Sequence, residues 1–251
     1  MHNALGFSDL LRLIDDRSTA FRAAIAAASS LDAKVPTCPE WTLADLAWHI
    51  GERRQIWAAT VAAGPADAKA TPEITPMPQE REALLAWLAD SAQQLLDALT
   101  EAGPDRECWV GWPDSQSART TGAVARRQIH EVAMHTYDAQ LAIGAPRPLP
   151  AEVAVDGVEE FLFTCNATPF PWPHEPAVVE YHVAEGLFWQ LRLDGEGARA
   201  ARLDAPGECD VWASGTASDV VLFMYGRHDL DALKSGGDLR VFDRLIAWEP
   251  A

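Results

Sequence analysis

Residues 126–140, RRQIHEVAMHTYDAQ, set two histidines, a glutamate and an aspartate into a run with helical periodicity. Imidazoles and carboxylates are the usual ligands and proton carriers of a divalent-metal site. At about 100° per residue, Glu131 and His135 lie roughly 40° apart around the helix axis and one turn along it, so both can reach one ion. His130 stands about 140° from His135, because the spacing is HExxxH and not HExxH, and the zinc-protease reading fails. Two ligands are left. A functional divalent site takes a third from the protein and keeps an open position, so the third must come from another part of the chain.

The best source is the run TLADLAWHIGERRQIWAATVAAG at 42–64, where His49 falls among Leu43, Leu46, Ala47 and Ile50 on an apolar face. An inward histidine there meets the Glu131/His135 pair across a helix bundle, which is how bundle metal sites are assembled. Taken alone, such a histidine is more often a hydrogen-bonded core residue, and a Glu/His pair more often a solvated couple. Their combination, in a recognisable context, changes that balance.

Four runs carry the helical period over the first 145 or so residues: 7–29, 42–64, 80–102 and 118–144. They are parted by Pro-, Gly- and Cys-rich breaks, and CPEWTLAD marks Thr42 as an N-cap with Asp45 three residues on. After GAPRPLPAE the texture changes to a helix, two alternating strands in AVVEYHVA and LFWQLRLDG, a third strand in CDVWASG, and two short helical runs. The expected class is therefore α+β: a four-helix bundle over 1–147 and a small α+β domain over 148–251.

Thirty-seven acids against 20 Lys and Arg give a formal charge of −17, which disfavours nucleic acid or an anionic membrane as partner. No run reaches the roughly 18 apolar residues that span a bilayer. Four scattered cysteines without a CxxC, behind an N-terminus that reads as no secretory leader, fit a reducing cytoplasm. Arg53, Arg54, Arg126 and Arg127 stand beside the two ligand segments, either to hold a small anion or to form surface pairs. Trp41, Trp48 and Trp87 read as packing residues, and Trp57, two turns beyond His49, as a pocket wall.

Three segments, VPTCPEWTLADLAWHIG at 35–51, RRQIHEVAMHTYDAQ at 126–140 and SGTASDVVLFMYGR with SGGDLRVFDRL near the C-terminus, resemble the mycothiol-dependent maleylpyruvate isomerase family. That family is part of the wider DinB/YfiT-like group of metal-binding four-helix bundles, here followed by a small sterol-carrier-like α+β domain. The resemblance implies that His49, Glu131 and His135 bind a divalent ion, zinc by preference, and that His130 is not a ligand. It also places Asp138 one turn after His135, either orienting that imidazole or as an exposed helical acid, and Arg227 in a GR turn after the C-terminal helix. Arg227 is expected either to clamp a substrate carboxylate or to cap a helix end and pair with Asp229.

The implied function is an enzyme with mycothiol as co-substrate, the thiol activated by the ion, and Arg53, Arg54 and Trp57 around it. It is an isomerase or S-transferase of an activated unsaturated acid such as maleylpyruvate, acting as monomer or homodimer. The competing class is a non-catalytic protein in which the C-terminal domain holds a small apolar molecule. Metal-assisted hydrolysis ranks last, since it lacks an evident general base beyond Asp138 or His130.

Overall fold

The computed structural model describes residues 5–248; the first four residues of the expected 1–147 domain, which begin the stretch read as no leader, and the last three of the expected 148–251 domain lie outside the described residues. The chain is α+β, and it divides into two compact units, the first of residues up to Gly111 plus Ala118–Leu149, the second of Trp112–Ser117 plus the chain from Pro150 on.

The first unit holds four long helices, α1 (Phe7–Ala27), α2 (Leu43–Ala63), α3 (Arg81–Ala102) and α4 (Thr121–Ala142), with a short hairpin of β1 (Lys34–Val35) and β2 (Cys38–Thr42) between the first two. α1 packs on α4 and α3, and α2 packs on α3. Their apolar stripes, Ile14, Phe21 and Ile25 on α1, Leu46 and Ile50 on α2, Leu84, Leu88 and Leu95 on α3, and Ile129 and Val132 on α4, make one buried core. A Cβ on Gly51 of α2 would run into the Trp87 ring, so the missing side chain lets α3 approach. Trp87 then stacks on Trp48 with centroids 5.9 Å apart and donates its indole N–H to the Thr75 carbonyl at 3.0 Å.

α2 begins where the capping box predicts. The Thr42 hydroxyl accepts from the Asp45 backbone N–H at 3.2 Å, and the Asp45 carboxylate accepts from the Thr42 backbone N–H at 2.8 Å. This fixes the phase of the helix that carries His49 seven residues later.

In the second unit, α5 (Ala151–Glu160) runs into a π-helical turn (Phe161–Asn166) and leads to a sheet of β3 (Ala177–Val183), β4 (Leu187–Asp194), β5 (Gly197–Leu203), β6 (Val211–Gly215) and β7 (Lys234–Gly237). The strand order is β5-β4-β3-β6-β7, with β3 and β6 parallel and every other pair antiparallel. Val179, Tyr181 and Val183 share one buried face of β3 and pair in register with Leu191, Trp189 and Leu187. α6 (Ala217–Met224) and α7 (Arg240–Ala247) add Phe223 and Phe242 to the buried aromatics. The segment 112–117 is tied to the edge strand β5: the Gln116 side chain donates to the Ala200 carbonyl at 3.0 Å and accepts from the Ala200 N–H at 2.6 Å.

Candidate metal centre

The heptad-like apolar run of α2 (Leu43, Leu46, Ala47, Ile50) turns His49 toward α4, where Glu131 and His135 sit one turn apart. Nε2 of His49 lies 3.0 Å from Oε1 of Glu131, and Nε2 of His135 lies 3.5 Å from the same oxygen. One ligand atom from each of the three falls within 4.8 Å of the others. Ligands of a tetrahedral ion at bond lengths near 2.1 Å stand about 3.4 Å apart, so this cluster is of the size one cation draws together. His130 is fully buried elsewhere on α4 and is no part of the cluster.

The surrounding charges favour a cation. Burial pushes the Glu131 carboxyl up, but hydrogen bonds with His135 and His49 and the charges of His135 and Arg127 outweigh it and hold the group well below the usual carboxylate range. Burial pushes His135 down, yet its hydrogen bonds to Asp138 and Glu131 and their negative charges win and raise it. The place thus stabilises positive charge, whether a proton or an ion supplies it. Two imidazoles and one carboxylate are a donor set that zinc and its neighbours accept, and the residues fit such an ion.

Behind the triad, Oδ2 of Asp138 is 2.9 Å from Nδ1 of His135, and Oδ1 accepts from the Thr37 hydroxyl at 2.6 Å. Asp138 is 0% exposed. A buried carboxylate on Nδ1 leaves Nε2 as the free lone pair that faces Glu131 and His49. Thr37 comes from the turn between β1 and β2, and that hairpin also delivers Trp41. The Trp41 ring lies 4.8 Å from His49 and 6.1 Å from His135, centroid to centroid, and so flanks both imidazoles of the cluster. Packing alone does not describe this tryptophan, and Thr37 was not singled out at all.

Two family models fit the chain, the mycothiol maleylpyruvate isomerase N-terminal domain over residues 11–140 and the MDMPI C-terminal domain over 152–244. The chain belongs to the mycothiol maleylpyruvate isomerase family. Among solved structures it is similar to a mycothiol-dependent maleylpyruvate isomerase at 16% identity and TM-score 0.58, over 94% of this chain and 96% of that one. A histidine-to-alanine variant of that enzyme aligns equally, at 15% identity and TM-score 0.58 over the same shares. At such identities the likeness speaks for the fold. No curated protein matches the sequence.

Other residues of this family member read as site residues from the sequence are dispersed. Arg53 follows His49 by one turn on α2, lines a small void with Glu131, and makes no hydrogen bond or ion pair among the described residues. Arg54 lies in the bundle core, 3% exposed, donating to the Ser18 hydroxyl at 2.6 Å and toward the Leu88 carbonyl at 3.4 Å. Desolvation pulls its guanidinium down to about 9, still charged at neutral pH. It is bonded to α1 and α3, and so is not free to hold a thiol. Its place was legible: Ile50, Arg54, Ala58 and Val61 continue the apolar stripe of α2.

Trp57 meets Trp109, centroids 5.8 Å apart, and does not touch the triad imidazoles as Trp41 does. Arg126 and Arg127 both lie on α4 ahead of Glu131, with Arg127 at 3.8 Å from Oε2 of Glu131. Arg227 belongs to the second unit, directly after α6, where its guanidinium donates to the Tyr225 carbonyl at 2.7 Å.

Proposed function

We propose that His49, Glu131 and His135 hold a divalent cation, zinc by preference, and that the chain is a thiol-dependent isomerase or S-transferase. The observation that carries this reading is the convergence of two imidazole nitrogens and one carboxylate oxygen from α2 and α4 within 4.8 Å. An ion held there by three protein ligands, with a position open, lowers the pKa of a coordinated thiol and makes it a thiolate at neutral pH.

The residues around it have definite tasks. Asp138 fixes the His135 tautomer and ring angle, and Thr37 fixes Asp138. Trp41 walls one side of the two imidazoles. Arg53, with no hydrogen bond or ion pair among the described residues, is placed to pair with a carboxylate of a small anion near Glu131, a role for which a planar guanidinium is well suited.

The similar solved enzyme is named for mycothiol and maleylpyruvate, and this chain is assigned the same thiol and the same class of electrophile, an activated unsaturated acid. In an isomerase the thiol is regained unchanged; in an S-transferase it is consumed in the product. The test is native mass spectrometry with metal analysis, then assay with mycothiol and maleylpyruvate. One divalent ion per chain, and turnover that requires both ion and thiol, is the expected result. Turnover of mycothiol by the chelated protein would remove the proposal.

A further inference from the structure

The second unit contains a cavity of about 630 Å³, and every residue lining it lies between Phe161 and Trp248. None of the triad or its supports is among its walls. The volume falls in the range of small-molecule sites, about 300–1,000 Å³. Aromatic rings cluster on its walls: Phe242 meets Phe223 edge-on at 5.5 Å and Tyr181 at 6.0 Å, and Phe161 meets Tyr225 edge-on at 4.6 Å.

Tyr181 and Asn166 each bring to these walls a polar atom with no hydrogen bond among the described residues. Tyr181 is 2% exposed, and among the described residues nothing hydrogen-bonds its hydroxyl. The Asn166 Oδ1, at the end of the π-helical turn, is buried with no hydrogen-bond partner among the described residues. Inserted π turns of this kind recur at functional positions, and here the turn sets both Phe161 and Asn166 against the cavity. A chamber of this size that combines aromatic rings with a few polar groups is the usual make-up of a small-molecule site.

Charge narrows the ligand class. The exposed acids Asp229 and Asp243 stand on the lining, and no lysine or arginine does among the described residues. The nearby Arg240 is occupied by Asp238 through two contacts of 2.7 Å. A carboxylate ligand would be repelled. We propose that this cavity binds a neutral or cationic small molecule with an aromatic or aliphatic body and one hydroxyl or amine, which bonds the Tyr181 hydroxyl and the Asn166 amide. This ligand differs in charge from the unsaturated acid assigned to the metal site, and the inference does not rest on that assignment.

The probes are β-naphthol and β-naphthoate, equal in shape and opposite in the feature that matters, titrated calorimetrically into the full chain. One β-naphthol per chain is expected, with β-naphthoate weaker by about tenfold or more. Tyr181→Phe, which removes only the hydroxyl, should weaken β-naphthol about three- to tenfold while leaving the unfolding midpoint unchanged or higher. Asp229→Asn with Asp243→Asn should narrow the preference over β-naphthoate. Chelation, or His49→Ala, should leave β-naphthol binding as it was, whatever becomes of turnover. Absent saturable binding, equal affinity for the two probes, an unmoved affinity in Tyr181→Phe, or loss of binding on chelation would each overturn the proposal; the first would mean that water alone fills the chamber.

Discussion

Oδ2 of Asp138 stands 2.9 Å from Nδ1 of His135, and the carboxylate is wholly shielded from solvent. A charged acceptor there keeps the proton on Nδ1 and raises the basicity of Nε2. Asp138→Asn is expected to weaken divalent-ion affinity about 10- to 100-fold, read by competition with a chromophoric chelator. Thr37→Val, which strips one hydrogen bond from the same carboxylate, should cost less, and Thr37→Ser should restore it. Equal affinities in wild type and Asp138→Asn would show that the ring is held by packing alone.

Ion binding to the triad must stabilise the fold, because the unfolded chain does not bring His49 to Glu131 across 82 positions. At free zinc about 100 times the dissociation constant, the gain is about 2.7 kcal/mol, or about 5–10 °C in the midpoint of a domain of this size. Differential scanning fluorimetry with zinc and with chelator should show this shift in wild type and abolish it in His49→Ala and Glu131→Ala. A shift of full size in either variant would place the ion elsewhere.

Arg54 is a charge in the core with no ion-pair partner among the described residues. Replacing such a charge by an apolar side chain of similar volume is often neutral or stabilising by about 1–4 kcal/mol. Arg54→Met should therefore keep or raise the thermal midpoint, since Ser18 retains its bond to the Ile14 carbonyl at 2.6 Å. Thiol affinity should not change. A lower midpoint would mean that the bonds to Ser18 and Leu88 outweigh the buried charge, and lost thiol affinity would return Arg54 to the cofactor.

What the sequence disclosed follows the range of the interaction. The four-residue step from Glu131 to His135 is helical geometry and needs no tertiary knowledge; so is the phase of α2 set by Thr42 and Asp45. The approach of His49 to that pair depends on packing between α2 and α4, which the apolar stripe suggests without dictating. Thr37 was hidden, and Trp41 read as packing alone, because Pro39 makes CPEWT look like a break, while in the fold it pairs as β2 with β1. β5 was hidden because GARAARL lacks β-branched and aromatic residues; it forms because β4 and Gln116 supply its partners.

The cap of α2 gives the clearest dependence on pH. Asp45 accepts from the Thr42 hydroxyl at 2.6 Å and from the Thr42 backbone N–H at 2.8 Å, and these bonds hold its carboxyl below the ordinary value. A carboxyl with a depressed folded pKa adds stability that is complete above its unfolded value, about 3.9, and that disappears as pH falls through the folded value. The group is exposed, so solvent screening keeps the effect under about 1 kcal/mol. Thermal midpoints of wild type and Asp45→Ala, compared between pH 2 and pH 6, should differ by at most about 2–4 °C at the upper end and draw closer toward the lower. A gap that ignores pH would show that Asp45 acts through something other than its charge, and the capping box would then owe its strength to the Thr42 hydroxyl on the Asp45 N–H.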